Sequence, residues 1–329
     1  MAVNASPRGS RLNWLLFLLL GFMWGSSYLW IKIGVNAGLQ PFTLVSYRLL
    51  IGALVLTVVV FATRERLPRD WQTYVRFTGL GFFGIALPFC LITWAEGSVD
   101  SSLAAVLTAP VPLIVIPIAA IFLPDEGLTV TKIAGVVVGL VGVAILVGLD
   151  VSKIGGSDLV SELALLCAAA SYAIGAVYVR RFIRGYRPTI PALFEVLTAL
   201  IMVGALALIF ERPLATPLTF DTVVPVTWLG LLGTGLAFIV NLHLLEHWGA
   251  ARASLVAYML PVWGIALGAV VLGETITPQV LGGFVLIITG IALVNFRKGG
   301  LTALVSSLRR GPVELAPELA EVPGEPEPR

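Results

Sequence analysis

Ten long apolar stretches, separated by short polar connections, dominate this chain. A helical run of about 20 apolar residues crosses the hydrocarbon core of a bilayer, which is ~30 Å thick. Because no water is available there to hydrogen-bond the peptide groups, each stretch is expected to be an α-helix. The ten predicted helices span residues 13–34, 42–62, 71–95, 102–122, 130–148, 159–182, 190–210, 222–246, 252–272 and 278–296.

The composition excludes several classes of protein. Apolar residues make up 58% of the chain, charged residues only 12%, and the mean hydropathy is +0.97. A water-soluble enzyme, a nucleic-acid binder or a disordered scaffold of this composition would expose a large apolar surface to water. A net charge of +2 favours no polyanionic partner. Cys90 and Cys167 lie inside apolar stretches without metal-ligand spacing, so neither a cofactor nor a metal is expected.

The distribution of lysine and arginine predicts the orientation of the chain in the membrane. With residues 1–12 in the cytoplasm, fourteen basic residues lie on the inner side and only three on the outer side. Residues 149–158 then form an outer linker, and residues 297–329, rich in proline and glutamate, form a disordered cytoplasmic tail. Both termini are therefore predicted in the cytoplasm of a cell that carries this protein in its inner (plasma) membrane. The three outer basic residues are Lys32, Lys153 and Arg212.

The two halves of the chain repeat each other. The segment from Pro112 to Asp125 matches the segment from Pro261 to Glu274 at a shift of 149 residues. Beyond it, two glycine pairs match at a shift of 148, and Arg48 aligns with Glu195 at a shift of 147. Such a constant shift indicates duplication, which predicts one unit at 13–148 and a second at 159–296. The matching glycines are Gly135 with Gly283 and Gly142 with Gly290.

Five helices in each unit have a consequence for symmetry. After an odd number of crossings the second unit enters the membrane from the opposite side, so a two-fold axis in the membrane plane relates the units. The predicted fold class is therefore an all-α integral membrane protein with ten transmembrane helices in two inverted five-helix repeats. This is the arrangement of many secondary transporters, in which exchanging two conformations between repeats moves access from one face to the other.

Three motifs resemble a known family. Trp24-Gly25-Ser26-Ser27 in the first helix, Tyr47-Arg48-Leu49 in the second and Leu272-Gly273-Glu274 after the ninth look like EamA-type members of the drug/metabolite transporter superfamily. The resemblance implies a ten-helix fold and the export or exchange of small metabolites, often amino acids. The first unit departs from the pattern, with Leu123-Pro124-Asp125 where Leu-Gly-Glu is usual.

Polar and aromatic residues near the bilayer centre are the candidates for substrate contact, because burying them against lipid is costly. Trp24, Ser27 and Tyr28 share one face of the first helix through their i, i+3, i+4 spacing. Aromatic faces with a few hydroxyls suit an amphipathic or cationic metabolite, although packing between helices is the competing interpretation. The full set of candidate substrate-binding residues is Trp24, Ser27, Tyr28, Arg48, Trp94, Thr108, Tyr172, Asn241 and Tyr258.

Two charges stand inside apolar stretches. Arg48 and Glu195 each follow a proline by seven residues, Arg48 toward the outer side and Glu195 toward the inner side. Arg48 is a candidate for binding a substrate carboxylate or a backbone carbonyl. Glu195 is a candidate proton-coupling residue, because burial disfavours its charged form. Capping of the backbone or snorkelling to the interface is the alternative for both residues.

These features predict a secondary membrane transporter for small organic metabolites that works by alternating access. The expected partners are the small-molecule substrate, the lipid bilayer and protons, without nucleic acid, and the protein is expected as a monomer or homodimer. The alternatives are a membrane-embedded enzyme and a passive channel. The enzyme would need a nucleophile or metal cluster that the motifs do not offer, and channels are commonly symmetric oligomers around a pore.

Overall fold

A computed structural model describes residues 7–65, 67–123, 128–147, 157–183, 185–217 and 219–295 of the 329-residue chain. Within these residues the secondary structure is helical, in ten long elements here numbered α1 to α10. Nine are long and apolar enough to cross a membrane, and the shorter apolar α10 follows them. The ten elements are α1 Pro7–Asn36, α2 Pro41–Ala62, α3 Trp71–Ala95, α4 Ser101–Phe122, α5 Val130–Val147, α6 Ser157–Phe182, α7 Thr189–Phe210, α8 Phe220–Trp248, α9 Ser254–Val271 and α10 Pro278–Asn295.

The predicted helix count and approximate boundaries are confirmed, and the chain is a multi-pass membrane protein. The predicted outer linker and cytoplasmic tail fall largely or wholly outside the described residues. Connections between consecutive helices are short, so neighbouring elements run in opposite directions. One end of the bundle contains Asn36 and the start of α2, and it is called the outer end below because the sequence predicts that it faces outward.

Departures from α-helical geometry recur at matching positions of the two repeats. A π-helical segment, Phe82–Ala86, interrupts α3, and another, Trp228–Leu236, interrupts α8. Likewise, α4 is broken at Ala109 and Pro110, and α9 begins with the 3₁₀ turn Ser254–Tyr258. Because α3 corresponds to α8 and α4 to α9, the duplication extends to the local backbone geometry.

The packing of helices follows the same symmetry. Three major contacts between helices have a counterpart in which first-repeat and second-repeat helices are exchanged: α1–α9 with α4–α6, α2–α8 with α3–α7, and α1–α8 with α3–α6. The pairs α2–α7 and α4–α9 are their own counterparts, so they lie across the two-fold axis. The two inverted repeats are therefore interleaved, and each helix that lines the centre packs on helices of the other repeat.

The α5–α10 contact is a close crossing of two backbones through glycine. A Cβ on Gly135 would lie 2.5 Å from the Gly290 carbonyl oxygen, and a Cβ on Gly142 would lie 2.8 Å from the Gly283 carbonyl oxygen. In the repeat alignment, Gly135 corresponds to Gly283 and Gly142 corresponds to Gly290. In the structure Gly135 meets Gly290, the counterpart of Gly142, and Gly142 meets Gly283, the counterpart of Gly135. An isologous contact has this property. The glycines that match between the repeats therefore allow α5 and α10 to approach closely.

We expect Gly290→Ala to destabilise the protein by about 1–3 kcal/mol, the usual cost of overpacking a close contact. The three atoms nearest to the added methyl group would all be backbone atoms, including the Gly135 oxygen at 2.5 Å and the Gly139 nitrogen at 2.6 Å. Gly282→Ala is the matched control, because a Cβ there meets nothing within 4 Å. Thermal unfolding of both purified variants measures the difference, and equal melting temperatures would contradict the close crossing.

Candidate functional site

Arg48 lies in α2, where it supports the π-helical segment of α8. Its Nε donates a hydrogen bond of 2.9 Å to Thr234 Oγ1, and its Nη2 lies 3.4 Å from the Gly233 carbonyl oxygen. The guanidinium also stacks over the Phe89 ring, 3.9 Å from the ring centroid. Only 4% of the residue is exposed. Its cost of burial is therefore offset by two hydrogen-bond partners and an aromatic face.

Tyr28 and Thr108 join the first repeat's helices α1 and α4 beside Arg48. The Tyr28 hydroxyl lies 2.5 Å from Thr108 Oγ1, and both residues are buried. Arg48 interacts electrostatically with Tyr28 and with Tyr172, which α6 of the second repeat contributes. The structure therefore brings four of the predicted substrate-binding residues into one polar cluster, in which Tyr172 is half-buried and the other three are buried. This group is here called the central cluster: Tyr28, Arg48, Thr108 and Tyr172.

Glu195 occupies the position in α7 that Arg48 occupies in α2. A Cβ on Gly230 would lie 2.9 Å from the Arg48 carbonyl oxygen, and one on Gly81 would lie 2.8 Å from the Glu195 carbonyl oxygen. The two backbones thus approach equivalent glycines near the start of each π-helical segment. The Glu195 carboxylate is half-buried against Gly84 and interacts electrostatically with Tyr172. The predicted proton-coupling candidate therefore borders the central cluster.

The remaining candidates have different surroundings. Ser27 is buried, but its hydroxyl donates to the Met23 carbonyl one turn earlier, at 3.2 Å. Trp24 is half-buried against an apolar group that includes residues of α8. The Tyr258 hydroxyl lies 3.5 Å from the Ile291 carbonyl oxygen of α10. Asn241 is half-buried in the inner part of α8. Ser27 alone among these four is fully buried.

Trp94 is the most exposed of the candidate substrate-binding residues. It is 48% exposed, whereas its neighbours Thr93 and Ala95 are 1% and 0% exposed. Successive residues of a helix point about 100° apart. The indole of Trp94 therefore points in a different direction from the buried side chain of Thr93, and its role in substrate binding stays a prediction. The sequence showed an aromatic residue near the end of a helix but not the direction of its side chain.

Two carboxylates at opposite ends of the bundle form equivalent contacts between helices α2 and α7. At the outer end, Glu211 accepts hydrogen bonds from the amides of Phe42 and Thr43 and from the Thr43 hydroxyl, at 2.6–3.0 Å. At the inner end, the Thr189 hydroxyl donates to Glu65 Oε2 at 2.5 Å. A shift of 146 residues converts one pair into the other. The outer contact, with three hydrogen bonds, is the more extensive of the two.

A second carboxylate closes the outer end between α9 and α4. Glu274 accepts hydrogen bonds from the Ser101 amide and hydroxyl and from the Ser102 amide, at 2.7–2.9 Å. It thereby satisfies the free amides at the N-terminus of α4 and complements the positive end of the helix dipole. Burial alone would raise the pKa of Glu274, but the hydrogen bonds from Ser102 and Ser101 outweigh burial and hold this pKa below its usual value.

Sequence reasoning missed the carboxylates at the outer end. Glu211 and Glu274 stand at the ends of apolar stretches, where charged residues are ordinarily solvated, so nothing in the pattern distinguished them. Glu211 bonds to Thr43 and Glu274 to Ser101, and each partner is more than 160 residues away in the chain. The partners belong to the other repeat, so no local sequence pattern could reveal them. The motif Leu272-Gly273-Glu274 was the one available signal, since it drew attention to Glu274 through family resemblance.

The two histidines form a contact of their own near the inner end of α8. Their rings stack 4.0 Å apart, and His243 Nε2 lies 3.1 Å from Asn13 Oδ1 of α1. Across the part of the chain that the structure describes, no three histidine, cysteine, aspartate or glutamate side chains gather as metal ligands would. The histidine pair is therefore part of the α1–α8 contact.

Comparison with known proteins gives matches over nearly the whole membrane region. The model of the EamA-like transporter family matches residues 12–148 and 159–296. The chain is 29% identical over 280 residues to the uncharacterized transporter YoaV of Bacillus subtilis, covering 83% of this chain and 93% of YoaV. It is 27% identical to a probable amino-acid metabolite efflux pump of Salmonella typhimurium, covering 87% and 96% of the two chains.

Two further matches agree with this result. The uncharacterized inner membrane transporter YedA of Escherichia coli K12 is 26% identical, with 85% of this chain and 89% of YedA aligned. A solved crystal structure superimposes with a TM-score of 0.63 at 22% identity, covering 85% of this chain and 96% of that chain. At this identity the structural match is evidence for the fold alone.

We expect Glu274→Gln to lower the stability of the protein by about 1–3 kcal/mol at neutral pH, because a carboxamide cannot accept all three hydrogen bonds. Since folding lowers the pKa of Glu274, its contribution is present above the unfolded pKa of about 4.3 and is lost as the pH falls through the folded value. Thermal unfolding near pH 7 and near pH 4 should show the difference from wild type shrinking in acid. Glu246→Gln, at an exposed position of α8, should have no effect at either pH.

Proposed function

The chain belongs to the EamA-like transporter family, and we propose that this membrane transporter exports or exchanges small amphipathic solutes, amino acids first, by alternating access. The central cluster is the observation that carries the proposal. It joins Tyr28, Arg48 and Thr108 of one repeat to Tyr172 of the other, buried in an apolar bundle. Buried ionisable groups inside a membrane protein ordinarily mark the path of a substrate or ion.

The chemistry of the central cluster suits a solute with a carboxylate and an apolar part. Arg48 uses Nε and Nη2 on the α8 segment, and a guanidinium has five donors in a planar fork that matches a carboxylate. Phe89, Tyr28 and Tyr172 supply aromatic surface beside it. The name of the Salmonella relative, a probable amino-acid metabolite efflux pump, supports the same class of solute at 27% identity.

The paired contacts at the two ends support alternating access. When Glu211 holds the start of α2, the outer ends of α2 and α7 stay together, and when Glu65 holds the start of α7, the inner ends stay together. The outer contact is built from three hydrogen bonds and the inner contact from one, which is a scale of free energy that a bound solute can offset. In the described conformation both contacts are present, and the outer contact is the more extensive. We infer that this conformation is closed toward the outside.

The proposed location is the inner (plasma) membrane with both termini in the cytoplasm, and cysteine labelling in intact cells tests it. In a background with Cys90→Ala and Cys167→Ala, Ser98→Cys at the outer end should react with a membrane-impermeant maleimide. Arg69→Cys, at the opposite end of α3, should react only after the membrane is permeabilised. Both positions are exposed, so access alone decides the outcome. The reverse pattern would overturn the orientation.

Reconstituted vesicles test the transport proposal itself. A thermal-shift screen of the purified protein against amino acids, nucleobases and lipophilic cations selects the labelled solute, since a ligand stabilises the protein by mass action. We expect saturable counterflow of that solute, whereas a non-saturating flux would indicate a channel and product formation an enzyme. Glu195→Gln should remove the dependence of counterflow on the pH at the inner face. A pH dependence equal to that of wild type would exclude Glu195 from proton coupling.

A further inference from the structure

Glu96 is a fully buried carboxylate that the central cluster does not use. It follows the last residue of α3, at the outer end, and 0% of it is exposed. In the described part of the chain neither of its carboxylate oxygens has a hydrogen-bond partner. The hydroxyl of Thr93, one helical turn earlier and 1% exposed, is also without a partner. These two side chains share one face of α3, so two unsatisfied polar groups stand together.

The ammonium group of Lys32 lies near Glu96 but donates its hydrogen bonds to main-chain oxygens. Lys32 of α1 donates hydrogen bonds to the main-chain oxygens of Glu96 and Val99, at 2.7 and 2.8 Å. These carbonyls belong to the end of α3 and the link that follows it, where no amide of the helix remains to satisfy them. The ammonium group therefore holds the backbone of Glu96 rather than its carboxylate. The attraction that remains between the two side chains is electrostatic, without a hydrogen bond.

Charged and titratable groups face Glu96 from each element around it. Tyr28 and Lys32 lie on α1, Arg48 on α2, and Glu274 on the α9–α10 link. Asp100, which precedes α4, interacts with Lys32 and Glu274. Burial raises the pKa of Glu96 well above its usual value, Lys32 opposes this effect, and the negative charge of Glu274 adds to it.

An ionised carboxylate in this position would be desolvated without a compensating hydrogen bond, which is among the costliest arrangements in a protein. A closed site with no exposed surface offers no room for a solute or a metal ion, but a proton needs no volume. Resting on the transport function proposed above, we propose that Glu96 is a proton-binding site, occupied while the outer end is closed and emptied to the outer aqueous phase when that end opens.

The coupling follows from the surroundings of Glu96. Opening the outer end separates Glu274 and Glu211 from the helix starts that they hold, and water then reaches the carboxyl group. The O–H bond breaks, the proton passes to this water, and the carboxylate stays behind beside Lys32. Closing the outer end again buries a carboxylate, so it requires a proton from outside. The pH of the outer phase therefore sets the free energy of closing and, through it, the rate of solute exchange, while the gradient of the solute itself sets the net direction.

Infrared spectroscopy of the full-length protein in lipid nanodiscs tests the proton itself, without a transported solute. At about pH 7, well above the ordinary glutamate pKa of about 4.3, the Glu195→Gln protein, in which the other candidate proton-binding carboxyl group is replaced, should show the carbonyl band of a protonated carboxyl group. In this background Glu96→Gln should remove the band, and Glu246→Gln, at an exposed position of α8, should leave it in place. A band that survives Glu96→Gln in this background, or its absence from the Glu195→Gln protein, would overturn the proposal.

Two further measurements complete the test. A glutamine resembles a protonated glutamate, so Glu96→Gln should leave the melting temperature near pH 7 unchanged, whereas loss of an ionised Glu96 beside Lys32 would lower it. Lys32→Gln keeps a donor for the backbone oxygens and should move the loss of the infrared band to higher pH. An unchanged midpoint would contradict the assigned surroundings.

Counterflow separates this proposal from the proposed function. In sealed vesicles, Glu96→Gln should remove the dependence of the flux on pH at the outer face, while Glu195→Gln acts on pH at the inner face. An outer pH dependence equal to that of wild type would show that Glu96 is not coupled to transport. If wild type showed no counterflow of any solute, the transport function would fail, and the infrared result would still decide whether Glu96 holds a proton.

Discussion

The peptide groups of this protein must find their hydrogen-bond partners inside the protein, because hydrocarbon offers none. Where α3 becomes π-helical, Leu87 bonds to the Phe82 oxygen, and Pro88 has no amide to offer the next carbonyl, that of Phe83. Ser171 of the other repeat donates to that oxygen at 2.8 Å. In α8 the corresponding support comes from Arg48 at the Gly233 oxygen. Each irregular segment is thus completed by a side chain of the opposite repeat.

Side chains of one repeat complete the backbone hydrogen bonds of the other repeat at the irregular segments and at the ends of the bundle. The central cluster takes part in the same set of contacts through Arg48. The helix starts at Thr43 and Ser101 are also completed across the repeats, by Glu211 and Glu274. Helix interiors bond within themselves and can move as rigid bodies, whereas contacts between repeats are made of side-chain hydrogen bonds that exchange with water. Relative motion of the repeats therefore breaks and remakes these contacts, and it changes the hydrogen-bond partners of the polar residues at the interface.

The candidate site was predictable only in part. Tyr28, Arg48 and Thr108 were found because polar groups inside apolar stretches are rare and costly, and the structure brings these three together. The exposure of Trp94 was not predictable, because helical periodicity in an apolar stretch does not show which face is buried. Glu96 was passed over because a charged residue at the end of a membrane helix is ordinarily solvated, and its burial depends on helices far along the chain.

The sequence by itself determined the ten helices, their two repeats and the inverted relation between them, since length, apolarity and an odd helix count leave few alternatives in a bilayer. It also marked the glycines at which helices approach, such as Gly135 and Gly290. Only the tertiary structure decided which side chains meet, because the partners of Glu211, Glu274 and Lys32 lie in other helices, outside the reach of any local pattern. The pattern of apolar residues is the same whether a helix faces lipid or protein. Hydrogen bonds between the repeats produce no periodic pattern in the sequence.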